Sequence, residues 1–221
     1  MQRYMERSLG VGVHEHVEAR VARKNSCRPF ESSAGGALMG EGDKGFLCVD
    51  TSSLAWQYLV RTDFVAATAI SAHEYVHVLQ AELGCLQPGE YRWLVEGMAT
   101  HLAWRALVSA GHASEARVVR EIRDDRPLSP TVGLLSGYER GDGRDQEYAL
   151  WHLAVRRLLR RAMSSGSASR SRPETALVRF CNLVGHGRRW HAAFEHSFGL
   201  PVERFYANFQ SDRRRGALIY R

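Results

Sequence analysis

Two histidines four positions apart, His73 and His77, with Glu74 directly after the first, stand in the stretch AISAHEYVHVLQAEL at residues 69–83. Imidazoles at that spacing can hold one metal ion, and a carboxylate beside them can move a proton. On an α-helix, positions i and i+4 share a face one turn apart, so both rings can offer a nitrogen to the same point. Glu74 then projects about 100° around the helix and can reach water on the metal without taking a coordination position. Zinc acidifies such water from a pKa of about 15.7 to roughly 7, and a nearby carboxylate can take its proton and later deliver it to a leaving group.

The pattern arises by chance in roughly 3 of 100 chains of this composition, so a third ligand is the test. A catalytic zinc ion takes three protein ligands and keeps one position open. Glu96 supplies the third, nineteen positions after His77, within the otherwise apolar Trp93-Leu94-Val95-Glu96-Gly97-Met98-Ala99. A carboxylate there is costly to bury unless it is bound to a cation or paired with a base such as Arg92. Gly97 beside it leaves room for a close helix packing.

Those residues need elements to hold them. From Thr62 the apolar spacing is three and four (Phe64, Ala67, Ile70, Val76, Leu79, Leu83) and stops at Gly84, which predicts a helix. QPGEYRWLVEGMATHLAWRALVSAG predicts a second helix running to about Gly111, close enough in sequence to pack beside the first. A shorter helix over Ala113 to Arg123 precedes a long Pro/Gly-rich loop, DDRPLSPTVGLLSGYERGDGRD. QEYALWHLAVRRLLRRAM is helical again, and after the flexible SSGSASRSRP three short helices follow in ETALVRFCNLVG, GRRWHAAFEHSFG and LPVERFYANFQSD. Residues 13–23 and parts of 44–50 alternate apolar and polar side chains, which predicts a small N-terminal sheet. The expected class is α+β, a single domain whose β-rich residues 1–61 pack on a helical part over 62–221.

HEYVH followed by WLVEGMATHLAW resembles the HExxH…WLxEGxAxY arrangement of the gluzincin metallopeptidases, the clan of thermolysin-like and aminopeptidase N-like enzymes, and of the smaller peptidase-MA-like domains. EYALWHLAVRRLL is similar to their tyrosine-bearing helix, and WHAAFEHSFGLPVERFYANFQ to their closing AFxxxFGxxxxxFxxxF segment. The resemblance spans about residues 36–212. It implies a zincin-like domain, one zinc ion per chain on His73, His77 and Glu96, Glu74 as general base and acid, and Tyr148 as a hydrogen-bond donor to the oxyanion, with Tyr138 the alternative. Where the family often has Lys-Gly after that tyrosine, Ala149-Leu150-Trp151 stand here. Aminopeptidases of the clan anchor the substrate amine with a glutamate in Gly-x-Met-Glu-Asn; the comparable Gly36-Ala37-Leu38-Met39-Gly40 has no acid, and Glu41 lies just beyond. Endopeptidase or protein-specific activity is therefore expected over aminopeptidase activity.

Composition narrows the alternatives. At 221 residues, 44% hydrophobic and 24% charged, the chain falls in the soluble globular range. With no run of 18 apolar residues and a polar MQRYMERSLG start, the expectation is a cytoplasmic protein with no membrane partner. The four cysteines form no Cys-x-x-Cys, so reduced, buried thiols are expected, with a Cys27–Cys48 bridge left open. Cys85 reads as a capping or core thiol. The net charge of +6 comes almost wholly from arginine, and clusters such as Arg156, Arg157, Arg160 and Arg161, or Arg213 to Arg215, lack the interleaved aromatics of nucleic-acid modules. They read as solvated faces. His101 reads as packing or support for the site. The leading function is zinc-dependent hydrolysis of a peptide or protein substrate; a non-peptide zinc hydrolase and a zinc-containing scaffold without turnover are the alternatives.

Overall fold

The computed structural model describes residues 1–11, 18–22, 36–39, 45–51, 54–86, 90–125, 128–129, 132–139, 147–166, 168–169, 171–216 and 218. Among these, nine α-helices carry the fold: α1 (Gln2–Leu9), α2 (Leu54–Thr62), α3 (Phe64–Glu82), α4 (Arg92–Ser109), α5 (Glu115–Asp124), α6 (Tyr148–Ser164), α7 (Thr175–Gly185), α8 (Trp190–Phe198) and α9 (Val202–Arg214). Three short strands, β1 (Glu18–Ala22), β2 (Gly36–Met39) and β3 (Gly45–Asp50), form a sheet in the order β1-β3-β2. β1 is parallel and β2 antiparallel to the central β3.

The expected α+β class is corrected. Every side chain of the described hydrophobic core belongs to a helix, to a connection between helices or, for Leu218, to the segment after the last one. Strands of five, four and six residues make a small flank beside α3, not a layer on which the fold is built. Alternation in the sequence signals local extension; the class is set by where apolar area is buried, and here helices bury it.

α4 is the centre of that core. Trp93, Leu94, Val95, Met98, Ala99, Leu102, Ala103, Trp104, Ala106 and Leu107 are all buried on it, so it has no solvent face along most of its length. α3 packs on one side of it and α6 on the other. The α4–α6 approach is close because of Gly97, where a Cβ would stand 2.6 Å from the Trp151 carbonyl oxygen. The closing helices lock the base of α4: Trp93 stacks on Phe205 at 5.8 Å and donates from Nε1 to Tyr206 Oη at 2.8 Å.

Local chemistry starts and stops the metal-bearing helix. The Asp63 side chain caps the N-terminus of α3 by accepting from the Ala66 N–H at 3.1 Å, and Arg117 of α5 pairs with the same carboxylate. Past its end, Gly84 adopts φ +77°, and its backbone meets Gly185 at the end of α7 so closely that a Cβ on Gly84 would lie 2.6 Å from Gly185 Cα.

That contact brings Cys85 and Cys181 into a buried disulfide across 96 positions. The expectation of reduced thiols is therefore corrected: spacing in sequence does not reveal that the ends of α3 and α7 meet. Cys27, half of the alternative pair, lies outside the described residues. Among the described residues, no helix is long and apolar enough to cross a membrane.

Candidate metal centre

His73 and His77 project from one face of α3, their rings edge to face at 4.6 Å. Glu96, in the second turn of α4, meets both. Its Oε2 lies 3.1 Å from His73 Nε2 and 3.4 Å from His77 Nε2, and the two Nε2 atoms are 2.9 Å apart. Four ligands at about 2.0–2.1 Å around a tetrahedral zinc ion are separated from one another by about 3.3–3.4 Å. The three donor atoms thus already sit near three corners of such a tetrahedron. The set of two imidazoles and one carboxylate suits zinc, and the three side chains are 12–16% exposed.

The electrostatics of the group agree with a cation site. Burial opposes ionisation of Glu96, but hydrogen bonds from His73 and His77 outweigh it and hold the carboxyl far below the usual range. Burial likewise works against a His77 cation, yet Glu96, then Glu74 and Gln80, favour it and leave the imidazole above its ordinary value. The ionised Glu96 carboxylate is the charge a divalent ion would meet here, and the ion would have to displace the proton that Glu96 favours on His77, because a histidine ligates only as the neutral ring.

Around the triad, the structure brings together most of what the sequence singled out. Glu74 is half-buried one residue along α3, near enough for its charge to act on His77. Tyr148, the first residue of α6, sets its ring edge-on to His73 with centroids 5.6 Å apart and is backed by Trp151 at 5.1 Å. Tyr138 is engaged elsewhere: its hydroxyl accepts the Gly133 N–H at 3.0 Å. His101 is no part of the centre, since it faces His152 (centroids 5.4 Å) and Glu174 (3.7 Å) in a buried polar cluster.

Two residues escaped the sequence reading. Thr100 donates to the Glu96 carbonyl at 2.9 Å and stands 3.1 Å from His73 Nδ1, so its oxygen is left to accept from that ring. Gln80 places Oε1 2.6 Å from His77 Nδ1. The available signal was spacing, since Thr100 is one turn after Glu96 and Gln80 nearly one turn after His77.

Some of the clustered arginines have partners within the chain. Arg213 donates to the carbonyls of Ser129, Val132 and Gly133, and both Arg157 and Arg215 pair with the buried Asp212.

Searches among protein families, curated proteins and solved structures find no match to this chain. What is known of the site is therefore its own geometry, and the likeness to gluzincins rests on the motif residues alone.

Proposed function

We propose that this chain is a zinc-dependent hydrolase acting on peptide bonds within peptides or proteins. The observation that carries the reading is the convergence of His73 Nε2, His77 Nε2 and Glu96 Oε2 within 3.4 Å of one another, with the Glu74 carboxylate on the same helix turn. A structural site would use a closed set of four ligands, whereas among the described residues this set has three, with Glu74 and Tyr148 beside them.

Zinc bound there would supply Lewis acidity, lowering the pKa of a water molecule toward roughly 7 and polarising a carbonyl. The chain's own residues do the rest. His73, His77 and Glu96 hold the ion. Glu74 accepts the proton of the attacking water and returns it to the amine that leaves. Tyr148 donates a hydrogen bond to the carbonyl oxygen as negative charge develops on it. No acid stands within Gly36–Met39 of β2 to pair with a free amine, which favours internal peptide bonds; Gly40 and Glu41 lie outside the described residues.

Elemental analysis of the purified protein should find one zinc ion per chain, and a library of N-terminally blocked peptides should be cleaved in a chelator-sensitive way. Glu74→Gln should keep the zinc and lose about 10²-fold or more in turnover, because only the basic carboxylate is removed. Zinc bound without any cleavage by the wild type would point to a scaffold instead. Absence of stoichiometric metal after zinc addition would sink the reading altogether.

A further inference from the structure

We infer that Gln80 is a positioning residue that holds His77 in the one neutral tautomer able to ligate a metal. The inference rests on the zinc reading above and concerns a residue outside the ligand set.

Gln80 is 0% exposed, an unusual state for a glutamine, on the buried side of α3. Its carboxamide bridges two groups: Nε2 donates to the Val95 carbonyl oxygen at 2.8 Å, and Oε1 lies 2.6 Å from His77 Nδ1. Each contact settles the other. A backbone carbonyl only accepts, so the amide nitrogen must face Val95 and the amide oxygen must face His77. An amide oxygen also only accepts, so Nδ1 must carry the hydrogen. The lone pair of the neutral ring is then on Nε2, at the point shared with His73 and Glu96.

Without that acceptor the preference would reverse. An Nε2–H could donate to Glu96 Oε2 at 3.4 Å or to His73 Nε2 at 2.9 Å, and a protonated Nε2 cannot bind a cation. The same amide joins the two ligand-bearing helices, because Val95 immediately precedes Glu96. The end of α3 is fixed behind it, with the Cys85 N–H donating to the Gln80 backbone carbonyl at 2.9 Å. A buried polar side chain costs desolvation that an apolar residue would avoid, and this bridge is what the carboxamide adds over one.

Two variants separate the metal role from the packing role. Gln80→Met has nearly the same length and no amide; Gln80→Glu can still accept from Nδ1 but, like Met, cannot donate to the Val95 carbonyl. Nitrogen-15 spectra of the imidazoles in metal-free protein at alkaline pH report the tautomer, and competition with a chromophoric chelator reports zinc affinity. Wild type and Gln80→Glu should carry the His77 proton on Nδ1 and bind zinc within about threefold of each other, while Gln80→Met should move it to Nε2 and bind zinc about 10- to 100-fold more weakly. Equal affinity in wild type and Gln80→Met, or an equal fall in both variants, would make Gln80 merely structural and overturn the inference. An Nε2–H tautomer in the wild type overturns it whether or not zinc binds. A wild type with the Nδ1–H tautomer that takes up no zinc overturns instead the zinc centre, and with it any ligation for Gln80 to serve.

Discussion

Tyr148 touches a proposed metal ligand without being one, so its contribution can be tested apart from metal binding. Its ring meets His73 edge-on with centroids 5.6 Å apart, at the start of the helix facing α4. A hydrogen bond made mainly to a developing oxyanion lowers the barrier without tightening substrate, so kcat should change far more than KM. Tyr148→Phe is expected to lose roughly 10- to 1,000-fold in kcat with zinc content unchanged, as measured by steady-state kinetics and elemental analysis. Tyr138→Phe is the matched control, since that hydroxyl serves Gly133; loss of activity in the control alone would pass the role to Tyr138. The triad was legible because helical period and the cost of burying Glu96 are both written in the sequence. Gln80 and Thr100 were not, because a polar residue one turn from a histidine looks the same whether it faces water or, as here, the ring and the neighbouring helix.

Between elements, the decisive contact is α4 against α6, because the residues that meet His73 from these two helices are Glu96 and Tyr148. Gly97 permits it. A Cβ added there would stand 2.6 Å and 2.9 Å from the Trp151 carbonyl oxygen and carbon and 3.0 Å from Val155 Cγ2, and backbone atoms cannot swing aside. Gly97→Ala gains up to about 1 kcal/mol of helix propensity but overpacks the crossing at about 1–3 kcal/mol. Net destabilisation by urea unfolding is expected, together with weaker zinc binding because the displaced residue adjoins Glu96; unchanged stability would show that the helices can separate freely. The Cys85–Cys181 bond was invisible in sequence for the opposite reason: its two halves are locally unremarkable, and only the meeting of Gly84 with Gly185 makes them partners. Disulfides typically stabilise by about 2–4 kcal/mol, and chain entropy alone gives up to about 4.7 kcal/mol for a loop near 100 residues. Reduction, or Cys85→Ala with Cys181→Ala, should lower the unfolding free energy by that order, and a bond that persists in purified protein would weigh against the expected cytoplasmic location, where thiols are kept reduced.

For the molecule as a whole, alternation over 13–23 and 44–50 and apolar periodicity from Thr62 onward were both visible, yet their weights were not. A strand pattern says nothing of how much core a strand will bury, and the described core gathers around α4. That core has an unusual inclusion, the His101–His152 pair between α4 and α6 with Glu174 and Arg105 beside it. Burial pushes the His152 pKa well below its ordinary value, with His101 and Arg156 adding to the effect. Burial also lowers His101, and Arg156 and Arg105 outweigh enough of the help from Glu174 to leave it lowered. Both rings are therefore neutral in the folded protein at pH values where the unfolded chain, with a histidine pKa of about 6.5, takes up protons. For these two rings the unfolded state binds more protons below that value, so their contribution to stability is full above about pH 6.5 and falls as the pH drops, by up to roughly 1.4 kcal/mol per pH unit for each histidine, against the opposite trend of His77. Urea unfolding between about pH 7.5 and 5 should show this slope. His152→Gln keeps a polar side chain of similar reach but removes the titration, and should flatten the slope whatever it does to stability at neutral pH. An unchanged slope in that variant would mean that the acid sensitivity arises elsewhere.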